Sequence, residues 1–109
     1  MIEDATRDVA LEYLNADPHP LALARHRLTV AENKCKEIFS RAFLAVVGSV
    51  DARKAAAEID VDYLAAKKDE AEAIKELENE RAKTRGAEML LECWRTEQSN
   101  NRAMERHTR

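Results

Sequence analysis

The chain has 109 residues, 36% of them charged, only 5% aromatic, two Gly and two Pro, and a net charge of -3. That length holds one domain, and the 45% apolar share is inflated by Ala, so a large globular core and a β-rich fold are excluded. A charge so near neutral argues neither for a dedicated nucleic-acid binder nor for a membrane-surface protein.

The charge is unevenly spread. Residues 1–50 carry 6 basic and 7 acidic side chains, residues 51–80 carry 5 and 10, and residues 81–109 carry 7 and 4, for -1, -5 and +3. Cys35 and Cys93 belong to no CxxC or Cys/His spacing, which gives no support to a zinc site or a disulfide framework and points to a reduced, cytosolic setting. The start, Met-Ile-Glu-Asp, lacks the basic and apolar regions of a signal peptide, and the longest apolar run is the short one that contains Phe43 to Val47, so neither export nor a membrane span is expected.

In chain order, Ile2, Ala5, Val9, Tyr13 and Ala16 share one face of a helix expected over about residues 3–16, with Glu3, Asp4 and Asp8 near its positive end. Asp17-Pro18-His19-Pro20 stops that helix, and Pro20 suits the first turn of the next. The second helix is expected over about 20–47. Its two heptad rows are Leu21, Leu28, Cys35, Ala42 and Ala24, Ala31, Ile38, Ala45, with Phe39, Phe43 and Val46 thickening the stripe. Five of those eight are Ala or Cys, so a partner helix can come close.

Gly48-Ser49-Val50-Asp51 is the turn between the long helical segments: Gly48 suits a left-handed position, and Ser49 or Asp51 can cap the next helix. So short a link makes the flanking helices antiparallel. A reversal centred there sets Ala42 near Ala57, Cys35 near Leu64, Leu28 near Ala71 and Leu21 near Glu78.

The third helix is expected over about 51–100, free of Pro and with one Gly, Gly86. Its heptad seam reads Ala56, Ile59, Tyr63, Ala66, Glu70, Ala73, Leu77, Glu80, Thr84, Ala87, Leu91, Trp94, interrupted by three polar residues, of which Glu70 and Glu80 are candidates for fixing register or partner number. Glu58-Ile59-Asp60-Val61-Asp62 is its weakest stretch, where Asp60 or Asp62 would cap a fresh helix after a kink; one continuous helix is the expectation. Propensity falls at Ser99-Asn100-Asn101, and the tail, about 101–109, is expected to fray.

The fold class that follows is all-α: an antiparallel, coiled-coil-like helical hairpin with a shorter N-terminal helix packed on the overhang of a long C-terminal one. At about 1.5 Å per residue the third helix is roughly 75 Å long and the second roughly 40 Å, so roughly 30 Å is left over. Met89, Leu90, Leu91 and Trp94 lie there. Two covers exist, and both are expected: the first helix, bringing Val9, Ala5 and Ile2 near Leu91, Trp94 and Gln98, and the same overhang of a second chain in a dimer.

No nucleophile elbow, phosphate-binding loop, dinucleotide fingerprint, EF-hand or HExxH motif occurs, and no catalytic residue, cofactor or metal is expected. His19 and His26 are two helical turns apart, about 10 Å, too far to share an ion, and His107 is in the tail. The carboxylates Asp69, Glu70, Glu72, Glu76, Glu78 and Glu80 run along a helix with Lys67, Lys68 and Lys75 among them, which is a solvated face rather than an acid/base pair. Leu90, Leu91, Trp94 and Arg95 are the candidate protein-interaction anchor, with packing of Trp94 under the first helix as its plainer role. Lys83, Arg85, Arg95, Arg102, Arg106 and Arg109 are the candidate phosphate contacts, against which stands the simpler role of cations near a helix C-terminus.

The segment Gly48 to Ala55 at a hairpin tip, an acidic helix after it, and then Ala87-Glu88-Met89-Leu90-Leu91-Glu92-Cys93-Trp94-Arg95-Thr96-Glu97-Gln98-Ser99-Asn100 resemble small helical proteins of bacteriophage early gene regions concerned with DNA replication and recombination. The resemblance spans about residues 45–103. That family has no agreed catalytic residues to carry over. It implies a helper protein in the cytoplasm of a bacterial host, working beside DNA-handling machinery. The leading expectation is a non-enzymatic protein–protein interaction module that self-associates. The alternative is an accessory nucleic-acid-binding protein that assists single-strand annealing or recombination through its basic C-terminal end.

Overall fold

A computed structural model describes residues 1–108. The described residues form four helices and no strand: α1 (Asp4–Leu14), α2 (Pro20–Ala45), α3 (Val50–Glu58) and α4 (Val61–Thr108). They group into two compact units. One joins residues 1–21 to the part of α4 from Glu80 onward; the other is residues 22–79.

In the second unit, α2 runs antiparallel to α3 and the first part of α4, as the short turn requires. Gly48 sits at φ 148°, a backbone conformation that L side chains rarely adopt, and Ser49 Oγ accepts the amide proton of Ala52 at 3.2 Å to cap α3. The buried side chains are Ala24, Cys35, Ala57, Ala66, Ala73 and Leu77. Most are a methyl group, so α2 and its neighbours meet largely through backbone proximity. Phe39 adds aromatic edge contact to Tyr63, with ring centroids 5.3 Å apart.

The expected single helix over 51–100 is two helices. Ile59 ends α3, and Asp60 Oδ2 accepts the amide proton of Tyr63 at 3.0 Å, capping α4. Two β-branched residues among aspartates weaken the helical ladder here, and a carboxylate that satisfies an orphan amide makes the restart favourable. Ile59 therefore leaves the seam and is 74% exposed.

The break also moves the register. Arg27 pairs with Glu76, and Cys35 lines one hollow with Glu70, while Leu64, its expected neighbour, is exposed. Beyond the joint, α2 thus meets α4 about one turn further along than a simple reversal at Gly48 gives. From Tyr63 to Trp94 the heptad seam itself is the covered face: every member is buried or half-buried.

In the first unit, α1 lies on α4, and the buried residues are Ala10 of α1 and Leu91 of α4. The face of α1 differs from the expected one. Ala5 and Val9 point to solvent, Val9 at 66% exposure, and Ile2, Arg7, Ala10, Tyr13 and Leu14 turn inward. Arg7 and Tyr13 bring polar ends that bond to α4, which outweighs the slightly more apolar row. The helix itself runs past about 101, the start of the expected frayed tail: α4 continues to Thr108, with Gln98 and Asn101 half-buried in the seam phase and Arg106 in the last turn, where a cation interacts favourably with the free carbonyls, and Arg109 lies outside the described residues.

Candidate interaction surfaces

Trp94 is engaged inside its unit. The Arg7 guanidinium stands over the indole ring, 4.7 Å from its centroid, and Trp94 Nε1 is buried without a hydrogen-bond partner. A cation over the ring face is favourable where water is excluded, and it offsets part of the cost of the unpaired N–H. The Ile2 amide donates to Glu97 Oε2 at 3.0 Å, holding the start of the chain one turn beyond.

At the other end of α1, Tyr13 Oη donates to Glu80 Oε2 at 2.6 Å and lies 3.3 Å from Thr84 Oγ1; Thr84 in turn donates to the Glu80 carbonyl at 2.9 Å. His19 meets the Tyr13 ring edge-on, centroids 5.1 Å apart, and its Nδ1 accepts the Leu21 amide proton at the start of α2. The Tyr13 hydroxyl holds the Glu80 carboxyl below the usual carboxylate range, and burial together with Glu80 raises the Tyr13 phenol. The polar seam position Glu80 is thus satisfied by α1 of the same chain.

Glu70, the other one, is satisfied in the second unit. Lys67 Nζ donates to it at 3.1 Å and lowers its pKa, and Cys35 lies beside it. Burial, then Glu70, pushes the Cys35 thiol up. A raised thiol pKa lowers the share of thiolate, the form that reacts as a nucleophile.

Of the four anchor candidates, Leu91 is buried, Leu90 and Trp94 are half-buried, and Arg95 is exposed. Leu91 therefore serves packing within its unit, while Leu90 and Trp94 keep part of their surface exposed. The basic candidates do not make one strip. At about 100° per residue, Arg95, Arg102 and Arg106 fall within roughly 40° of one another, while Lys83 lies about 100° or more from each of them and Arg85 about 60° or more. Lys83 pairs with Glu80 at 3.5 Å, and Arg109 lies outside the described residues.

The feature not marked in advance is the hairpin tip. Leu44, Val47, Val50, Ile59 and Val61 are 68–93% exposed and are gathered within eighteen residues of chain around Gly48. A signal for it existed, since Val46, Val47, Val50, Ile59 and Val61 crowd β-branched residues against a turn. No group of His, Cys, Asp or Glu among the described residues is arranged to hold a metal ion, and no helix among them is long and apolar enough to cross a membrane. No family model, curated protein or solved structure matches the chain.

Proposed function

We propose that the protein is a non-enzymatic interaction module that docks onto another protein through the apolar tip of its hairpin. The observation that carries this is the exposure of Leu44, Val47, Val50, Ile59 and Val61, which fall close together in the chain, whereas the other exposed large apolar side chains are scattered along the helices. Large apolar side chains gathered at a capped turn cost solvation when uncovered and release it on binding. The resemblance to phage early-region proteins makes a DNA-handling protein of a bacterial host or phage the partner class, and the cytoplasm the compartment.

The test compares capture by the intact protein with capture by a Val47→Asp/Ile59→Asp variant, neither of which alters the buried set. Loss of the captured protein with helical content unchanged supports tip docking. Equal capture by both overturns it.

A second reading rests on the exposed row of Arg95, Arg102 and Arg106 along α4. Contact with a nucleic-acid backbone through that row would make binding fall steeply with salt. No binding of single-stranded DNA at low salt removes this reading; binding that Arg102→Glu/Arg106→Glu abolishes sustains it.

A further inference from the structure

One face of the hairpin carries a regular charge pattern. From α2, Arg27, Lys34 and Arg41 stand seven residues apart; from α4, Asp62, Asp69 and Glu76 do the same. Seven-residue spacing puts each set in a single row along its helix. The rows flank one continuous groove: Arg27, Lys34, Asp69 and Glu76 line one stretch, and Lys34, Arg41, Asp62 and Asp69 the next. Arg27 and Glu76 are ion-paired across it. The floor is Ala31, Ile38, Ala42, Ala66 and Ala73, with Val30 at the rim 52% exposed.

The groove is therefore basic along one wall and mainly acidic along the other at each of three levels, with Lys75 standing beside Glu76 on the acidic wall. A second hairpin laid on it meets one of two fates. If the two-fold axis runs along the helices, α2 of each copy covers α4 of the other, levels are preserved, and positive rows meet negative rows. If the axis runs across the helices, α2 covers α2, and like charges meet. The chain also has reason to seek a second layer: among the described residues no buried side chain is larger than Leu, and most are Ala.

We infer that this face is the contact surface for a second copy of the chain, packed with its two-fold axis along the hairpin to form a four-helix bundle in which every neighbouring pair of helices is antiparallel. At each level the charges alternate around a ring of four helices. This contact is separate from the tip docking proposed above, and it differs from the dimer through the α4 overhang expected from sequence, because α1 already occupies that part of α4. It also sets the two apolar tips at the same end.

Mixing charge-reversed variants tests it. Lys34→Glu places four acidic groups in the middle ring of its own dimer, and Asp69→Lys places four basic ones, so each variant alone should dimerise roughly tenfold or more weakly than the intact protein by sedimentation equilibrium. Mixed in equal amounts they should recover dimerisation, since every contact between the two chains then joins opposite charges. Cross-linking gives the orientation. In a Cys35→Ser/Cys93→Ser background, chains with Ala31→Cys should bridge to chains with Ala73→Cys and not to themselves. A monomeric mass for the intact protein at every concentration, failure of the mixture to recover, or bridging of Ala31→Cys chains to each other overturns the inference. Helical content measured on each variant separates loss of association from loss of fold.

Discussion

The two units reach the same end, a long helix covered on one side, by different physics. In residues 22–79 the covering is made by small side chains: Ala24 and Ala57 are fully buried, and α2 comes close because little stands between the backbones. In the unit built on α1 and the end of α4, few residues are buried, and specific polar groups do the fastening: Tyr13 on Glu80, Arg7 on Trp94, the Ile2 amide on Glu97. Shape fixes the first contact, and directed bonds fix the second. The first should thus be intolerant of added volume, the second of lost functional groups.

The largest effect expected is at the apolar centre of the α1 contact. Leu91→Ala removes a buried residue of the α1 unit and should cost about 3 kcal/mol in chemical denaturation. A loss well under 1 kcal/mol would mean that α1 is held by its polar contacts alone. Next is Ala24→Leu, which adds volume where none is free and should cost about 2 kcal/mol by forcing the helices apart. The same change at the exposed Ala22 should be close to neutral, and equal effects at both sites would break the contrast between the units.

Tyr13→Phe keeps the ring and removes the hydroxyl, at an expected cost of about 1 kcal/mol for a hydrogen bond to a half-buried carboxylate. This contact also has a pH signature. Glu80 has a lowered pKa in the folded state, so its contribution is present above the unfolded value, about 4.3, and is lost as pH falls through the folded one. Tyr13 has a raised pKa, so its contribution is present below the unfolded value, about 10, and is lost as pH rises through the folded one. Stability measured against pH should therefore show a shallower acid limb in Tyr13→Phe than in the parent. An unchanged acid limb would show that the Glu80 carboxylate is held by other groups.

The smallest effect expected is that of Arg27→Ala. Both members of the Arg27–Glu76 pair are well exposed, so its loss should change monomer stability by less than about 0.5 kcal/mol. Its role in the fold is to favour one alignment of α2 against α4 over its neighbours one turn away.

The covered face of α4 was legible in the sequence because it obeys a single period: Tyr63, Ala66, Ala73, Leu77, Leu91 and Trp94 need only the 3.5-residue spacing to be found. The face of α1 was not, since it is chosen by where Arg7 and Tyr13 find partners on another helix, and hydropathy along α1 does not record that. The joint at Ile59-Asp60 was visible as weak propensity, but its outcome depends on Asp60 reaching the Tyr63 amide, a balance of small local terms. The register followed from the joint and was out of reach for the same reason. Leu90, Leu91 and Trp94 were marked for their chemistry, and their own unit takes up Leu91 by burial and part of Trp94 through Arg7. The tip is the converse case, since exposure of Val47 and Ile59 follows from the turn and the joint beside them, not from their own character.

The joint between α3 and α4 also sets which changes in chain length the molecule absorbs. Residues 59 and 60 lie outside both helices, so an extra residue there is taken up as slack, and the three facing charge levels keep their phase. The same residue inserted a few positions later would spin Asp69 and Glu76 about 100° away from Lys34 and Arg27. Length variation in relatives of this chain should accordingly collect at this seam in the backbone and at Gly48, and be missing from the ten or so residues that follow.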